Sequence, residues 1–370
     1  MTLINKERLV DRFMRYVQID SPTKEEREFA LILMKELEEL GLSVVMDDAA
    51  EKTGSNSGNL MAKLKGNAEK ETILFSSHMD TVSPSRGVKP KIVDGTIYSD
   101  GTTILGGDDK AGIASIMEAL TVLKEENLPH GDIEIAFTIF EEGGLFGSKN
   151  LDYSKLEAKM GFVLDSGGDP GDIIVQGPAQ NKIDVKFTGK PAHAGVAPET
   201  GISAIMMAAE AISSMKLLRV DEETTANIGS ISGGGATNIV TKEVIFHAEA
   251  RSLDNEKLKV QSDHMVKCCE DAARKFDGKV DVQVENAYGA FNIPVDHPTV
   301  KAVEEACSKL GIPTRTTTSG GGSDTNIFNA NGVAAINLGI GERMPHTLEE
   351  HLHIIDLENT ARIVVELMRA

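Results

Sequence analysis

Short apolar runs at 60–64, 73–77, 133–140 and 160–164 are separated by segments of helical period, and no other feature of the chain restricts its fold as strongly. Strands that alternate with crossover helices pair in parallel. The pattern therefore predicts an α/β unit with a mixed, largely parallel sheet flanked by helices. Ahead of it, residues 6–17 carry Leu9, Val10, Phe13 and Val17 at helical spacing. Thr23 with Glu26 three positions later reads as a capping box for a second helix, which runs to Leu40 and stops at Gly41. A strand is expected at 42–46 and a long crossover helix at 110–124.

The alternation breaks between 181 and 285. There the order is a strand at 183–188, a helix at 201–214, strands at 224–230 and 243–251, a helix at 256–276 and a strand at 280–285. This β-α-β-β-α-β succession is the ferredoxin-like α+β order. The α/β pattern resumes at 299–310 and closes on a helix at 358–368. The expected organisation is a discontinuous domain, 1–179 with 289–370, and a smaller domain, 180–288, inserted into it.

Composition narrows the class of partner. With 57 Asp and Glu against 38 Lys and Arg the net charge is −19, so the chain lacks the basic stripe that nucleic acid or an anionic membrane demands. The first residues show no continuous apolar stretch of a signal peptide, and no run is long enough to span a bilayer. Cys268, Cys269 and Cys307 form no CxxC pattern, which points to neither a disulfide framework nor a thiolate zinc site and makes a reducing cytoplasm the expected location.

Acidic residues cluster where strands are expected to end, and most lie beside glycine doublets. His78-Met79-Asp80 follows the apolar ILFSS. Two apart on an extended chain, His78 and Asp80 share a face, so the carboxylate can hold the imidazole in one tautomer, as metal-bound histidines require. Alone, such a pair is more often plain surface. Gly106-Gly107-Asp108-Asp109 turns into the 110–124 helix; adjacent buried carboxylates need a cation, although either Asp could instead cap the helix. Glu141-Glu142-Gly143-Gly144 and Asp165-Ser166-Gly167-Gly168 end two further strands, and adjacent glutamates can divide metal binding and proton transfer between them. His346 follows the apolar run 333–338, with Glu350 four residues on. Two histidines and several carboxylates without thiolates suit two Zn²⁺, Co²⁺ or Mn²⁺ ions about 3.5–4 Å apart, with Zn²⁺ first.

The order HMDTV, GGDDKAG, EEGG, LDSGG, PHTLEE resembles the co-catalytic zinc exopeptidases of the peptidase T, aminoacylase and carboxypeptidase G superfamily over essentially the whole chain, and most of all peptidase T and its relatives. The resemblance implies that His78, Asp108 and Asp165 hold one metal and Asp108, Glu142 and His346 the other. Glu141 would be the general base, and Asp80 would orient His78. A cis peptide would join Asp108 to Asp109. The 1–179 and 289–370 segments would form the catalytic domain and 180–288 a lid, through which members often dimerise. His193 in GKPAHAG would polarise the scissile carbonyl. Asn238 and Arg251 would contact substrate, and SGGGSD, with Gly321 and Ser323, would cradle the peptide backbone. The stretch between His78 and Asp108 is shorter than in peptidase T proper. The implied activity is removal of the N-terminal residue from short peptides, tripeptides first. The alternatives are an amidohydrolase or carboxypeptidase acting on N-acyl or γ-linked amino acids, for which Arg251 suits a carboxylate, and a silent binding protein, which would have lost a ligand.

Overall fold

In the larger of two units the apolar runs become neighbours. Strands Ile133–Thr138, Ile73–His78, Met160–Ser166 and Ala334–Gly339 lie side by side, each parallel to the next. The computed structural model describes residues 3–369. The larger unit comprises residues to 176, 292–319 and from 323 onward; the smaller comprises 177–291 and 320–322.

The parallel strands are apolar on both faces because helices cover both, and Ile133–Thr138 is buried at every position. Helix Gly107–Glu126 packs on Ile73–His78 and Met160–Ser166 and is flanked by helices Lys6–Val17 and Ile354–Met368. Enclosed in this way it carries apolar residues all round, with Ile113, Ile116 and Leu120 essentially without solvent contact. Burying each such side chain stabilises the fold by about 1.5–3 kcal/mol. Antiparallel strands extend the sheet: Leu60–Leu64 on Ile133–Thr138, Ser43–Met46 on Leu60–Leu64, and Asp172–Gly177 on Ala334–Gly339. The mixed, largely parallel sheet is thus the one the alternation predicts.

Several boundaries move for local reasons. The strand expected to reach 140 stops at Thr138, because Phe140 adopts φ 47° and turns the chain. The capping box does not form. Helix Arg27–Leu40 begins after Glu26 with no side-chain cap, since the Thr23 hydroxyl and the Glu26 carboxylate are engaged elsewhere. Gly41 ends that helix at φ 98°, as expected of a left-handed cap. The last helix starts earlier than expected, at Ile354, directly after the strand His351–His353.

The smaller unit is an antiparallel sheet in the order Leu218–Arg219, Thr224–Gly233, Glu243–Ser252, Ala179–Thr188, Lys279–Tyr288. Helices Ala204–Ser214 and Asn255–Lys275 cover one face, and Phe187, Phe246, Met207, Met265 and Cys269 fill the layer between. The connection order is β-α-β-β-α-β apart from the two-residue strand Leu218–Arg219. All three cysteines are free and buried. Among the described residues no helix is long and apolar enough to cross a membrane.

Candidate metal centre

Parallel strands present their carboxyl ends along one edge, and the predicted donors gather there. His78 is the last residue of its strand, Asp165 the penultimate residue of the adjacent one, and Glu141 and Glu142 follow Thr138 by three and four positions. Asp108 enters from the break at the start of the long helix, where Asp108 (φ −79°, ψ 101°) and Asp109 (φ −123°, ψ 34°) are not helical. Neither aspartate side chain caps that helix: Asp108 meets His78 and His346, and Asp109 accepts from the His78 N–H at 3.2 Å. The Asp108–Asp109 peptide is cis. His346 is half exposed and adopts φ 62°.

Two donor groups share Asp108. His78, Asp108 and Asp165 form one, and Asp108, Glu142 and His346 the other, with ligand atoms in each group within 4.8 Å of one another. His78 Nε2 lies 2.8 Å from Asp108 Oδ1 and 3.6 Å from Asp165 Oδ1. His346 Nε2 lies 3.2 Å from Asp108 Oδ2 and 2.9 Å from Glu142 Oε1. Glu141 is buried beside them and belongs to a third group, with His78 and Glu142.

Asp80 has a different task from the one its spacing suggests. His78 Nδ1 bonds the Asp80 backbone carbonyl at 2.8 Å, whereas the Asp80 carboxylate stands 3.6 Å away. That carboxylate accepts from the N–H of Glu141 (2.8 Å), the N–H of Glu142 (3.3 Å) and the Thr23 hydroxyl (2.8 Å). Asp80 thus fixes the turn that carries both glutamates. Glu26 assists by accepting from the Phe140 N–H at 3.1 Å. On the other side, Asn337 accepts from the Asp165 N–H (3.0 Å) and donates to the Asp165 carbonyl (2.8 Å). Thr23, Glu26 and Asn337 carry no local signature of this work, because their partners lie far off in sequence.

The electrostatics are those of an anionic cage. Burial, and then the charge of Asp165, push the Glu141 carboxyl well above the usual carboxylate range. Burial raises Asp165 to about 7, against the pull of His78. Burial likewise raises Glu142, with His346 opposing it. Hydrogen bonds to Asp108 and Glu142 lift His346 to about 10. Burial works against a charged His78, but the neighbouring carboxylates of Asp108, Asp165 and Asp80 outweigh it and hold its pKa well above normal. Without metal, protonated imidazoles supply the counter-charge. Asp109 Oδ1 is a buried oxygen with no hydrogen-bond partner. Imidazole and carboxylate donors in two groups with one shared carboxylate, inside a site that repels itself, fit a pair of divalent cations such as Zn²⁺, Co²⁺ or Mn²⁺.

The remaining predicted residues divide between the units. Ser323 belongs to the larger unit; its hydroxyl accepts from Thr325 N–H (3.3 Å) at the start of helix Asp324–Ala330 and from Asn337 Nδ2 (3.2 Å), which connects it to Asp165. His193, Asn238, Arg251 and Gly321 belong to the smaller unit. There the Ala194 N–H donates to the Asn238 carbonyl at 2.8 Å, which sets an exposed His193 next to Asn238. Arg251 forks onto the Glu249 carboxylate at 3.0 and 3.1 Å.

An imidazole–carboxylate centre on the carboxyl edge of a largely parallel sheet is that of a metal-dependent hydrolase. Residues 74–370 match Peptidase family M20/M25/M40, and the chain belongs to that family and is a peptidase. An uncharacterized protein of Bacillus subtilis, YqjE, is 47 % identical over 366 residues, 99 % of either chain. Among solved structures, aminopeptidase PepT from Bacillus cereus is 47 % identical with a TM-score of 0.93, covering 99 % of both chains. A tripeptidase from Staphylococcus aureus is 44 % identical with a TM-score of 0.97, covering 99 % of this chain and 98 % of that one. Within the family the chain is peptidase T-like.

Proposed function

We propose that this peptidase is an aminopeptidase that releases the N-terminal residue of short peptides, tripeptides above all. The observation that carries the proposal is the pair of donor groups sharing Asp108 with the buried Glu141 beside them. The names and full-length similarity of the Bacillus cereus aminopeptidase and the Staphylococcus aureus tripeptidase support the substrate class.

Two divalent cations, Zn²⁺ first, held by His78, Asp108 and Asp165 and by Asp108, Glu142 and His346, would supply Lewis acidity and bring the acidity of water near neutral pH. Glu141 is the general base: buried beside both donor groups, it is placed to take the proton of the attacking water and hand it to the leaving amine. The Asp80 carboxylate aims it through the Glu141 N–H. His193 is the candidate for stabilising the carbonyl oxygen, with Asn238, Arg251, Gly321 and Ser323 as candidate substrate contacts. The rival reading, a carboxypeptidase or an amidohydrolase, uses Arg251 for a substrate carboxylate, and Arg251 would first have to leave Glu249. A cytoplasmic location and a homodimer through the smaller unit belong to the proposal; three free cysteines suit a reducing compartment, and light scattering reads the oligomeric state.

The test is a panel of di- and tripeptides with free and N-acetylated amino ends, run with Zn²⁺, Co²⁺ and Mn²⁺. Free tripeptides should be cleaved at the first bond and acetylated ones spared. Faster turnover of N-acyl substrates would transfer the protein to the rival class. Glu141→Gln should lower kcat by about 10²–10⁴-fold while metal content is unchanged, and undiminished turnover would remove Glu141 from its role.

A further inference from the structure

Glu350 is buried, 1 % exposed, yet none of the roles above uses it. Its Oε2 accepts from the N–H of Leu105 at 2.7 Å and of Gly106 at 2.8 Å, and its Oε1 from the N–H of Asp108 at 3.2 Å. A single carboxylate therefore gathers the backbone hydrogens of the loop that delivers Asp108. Gly106 sits there at φ 78°, and a Cβ at Gly107 would come within 3.1 Å of Glu350 Oε1. The other end of the clamp is the His346 loop: the Glu350 N–H donates to the Thr347 carbonyl at 3.2 Å, one residue past the histidine. Asp108 and His346 come together at 3.2 Å from segments 238 residues apart, and Glu350 joins the backbones that carry them.

We infer that Glu350 is a positioning residue that sets the spacing of Asp108 and His346, and so governs the second cation position more than the first. The inference rests on the two-cation reading. The selectivity follows from what else holds each donor. His78 is fixed by its bond to the Asp80 carbonyl, Asp165 by Asn337 on both backbone groups, and Glu142 through its N–H on Asp80. His346 is half exposed and sits in the turn between the paired strands Glu342–Arg343 and His351–His353, and Glu350 bonds that turn to the Asp108 loop.

Glu350→Gln keeps the size but leaves one acceptor oxygen, the other end becoming an NH₂ that faces N–H donors. Metal-stripped protein is titrated with Co²⁺ by calorimetry, with visible absorption and thermal melting followed in parallel. The wild type should bind two ions. The variant should lose about 10–100-fold in one affinity, the usual effect of removing an outer partner of a metal ligand, and distinctly less in the other, which shares only Asp108 with the Glu350 clamp. Gly107→Ala, which presses on the same carboxylate, should shift the same affinity in the same direction and serves if Glu350→Gln does not fold. Two unchanged affinities, or two that fall together alongside a lower melting temperature, would overturn the inference. A wild type that binds fewer than two ions would overturn the two-cation reading itself, and this inference with it.

Discussion

Asp165→Asn should stabilise the metal-free protein while disabling it. In the folded state burial holds the Asp165 carboxyl at about 7, against an ordinary value of 3.8. The folded form therefore keeps a proton that the unfolded chain has released, so stability falls as pH rises between those values and the full penalty is present above about 7. A gap of about 3 pH units corresponds to about 4 kcal/mol at pH 8, of which less than half is already felt at pH 5. The asparagine does not titrate, and it leaves His78 its 2.8 Å contact with Asp108 because Asp165 stands 3.6 Å away. It also removes a charge that raises Glu141, an effect of the same sign. Urea unfolding of EDTA-treated proteins should show the variant ahead by a margin that widens by about 2–3 kcal/mol from pH 5 to pH 8. Added Zn²⁺ should then narrow the margin, by about 2.7 kcal/mol at about 100 times its Kd, and reverse the ranking beyond about 1,000 times its Kd, where it adds more than about 4.1 kcal/mol to the protein that binds it. A metal-free variant no more stable than wild type at pH 8, or a margin that does not widen with pH, would refute the reasoning.

Other perturbations test neighbouring parts of the same architecture. Gly112→Ala would place a Cβ 2.4 Å from the Leu164 carbonyl and 2.5 Å from both Asp109 Oδ1 and Ser77 Oγ, so thermal melting should report a loss of about 1–3 kcal/mol. Thr23→Val removes the 2.8 Å hydroxyl donor to Asp80, a bond to a charged group worth about 1.5–3 kcal/mol; steady-state kinetics should show kcat down at least about tenfold. Chelation should abolish activity and Zn²⁺, Co²⁺ or Mn²⁺ restore it. Because His346 is held protonated to about pH 10, reloading at pH 8 should release protons, measurable as a buffer-dependent calorimetric heat.

The acidic donors were legible as local strings, and their assignment with His78 and His346 to two ligand sets came from the resemblance. Asp108 and Glu142 lie beside glycine and Asp165 two residues before one, in short strings visible in a window of ten residues. The supports were not. Thr23 and Glu26 satisfy the spacing of a helix cap, yet their partners are Asp80 and Phe140, 57 and 114 residues away. Asn337 reaches Asp165 across 172 residues. Nothing in the apolar run around Asn337 distinguishes it from a polar residue tolerated in a strand. Asp80 shows the limit from the other side: its spacing suggests a carboxylate on His78, but the carboxylate serves a turn that periodicity cannot bring into view. The parallel core followed from alternation, while the boundary at Thr138 depended on the positive φ of Phe140, which no apolar pattern encodes.

The chain order of the donors has a consequence for biosynthesis. Asp165 and His346 are 181 residues apart, and strand Ala334–Gly339, which lies beside the Asp165 strand, is also made late. At about 5–20 residues per second, roughly 10–40 s pass on the ribosome between the two residues. Throughout that interval the smaller unit emerges nearly whole, while the second set of donors lacks its histidine. A nascent chain can accumulate the acids of the site but cannot complete it. On the proposed ligand set, the nascent peptidase stays inactive until the loop that carries His346 has been made.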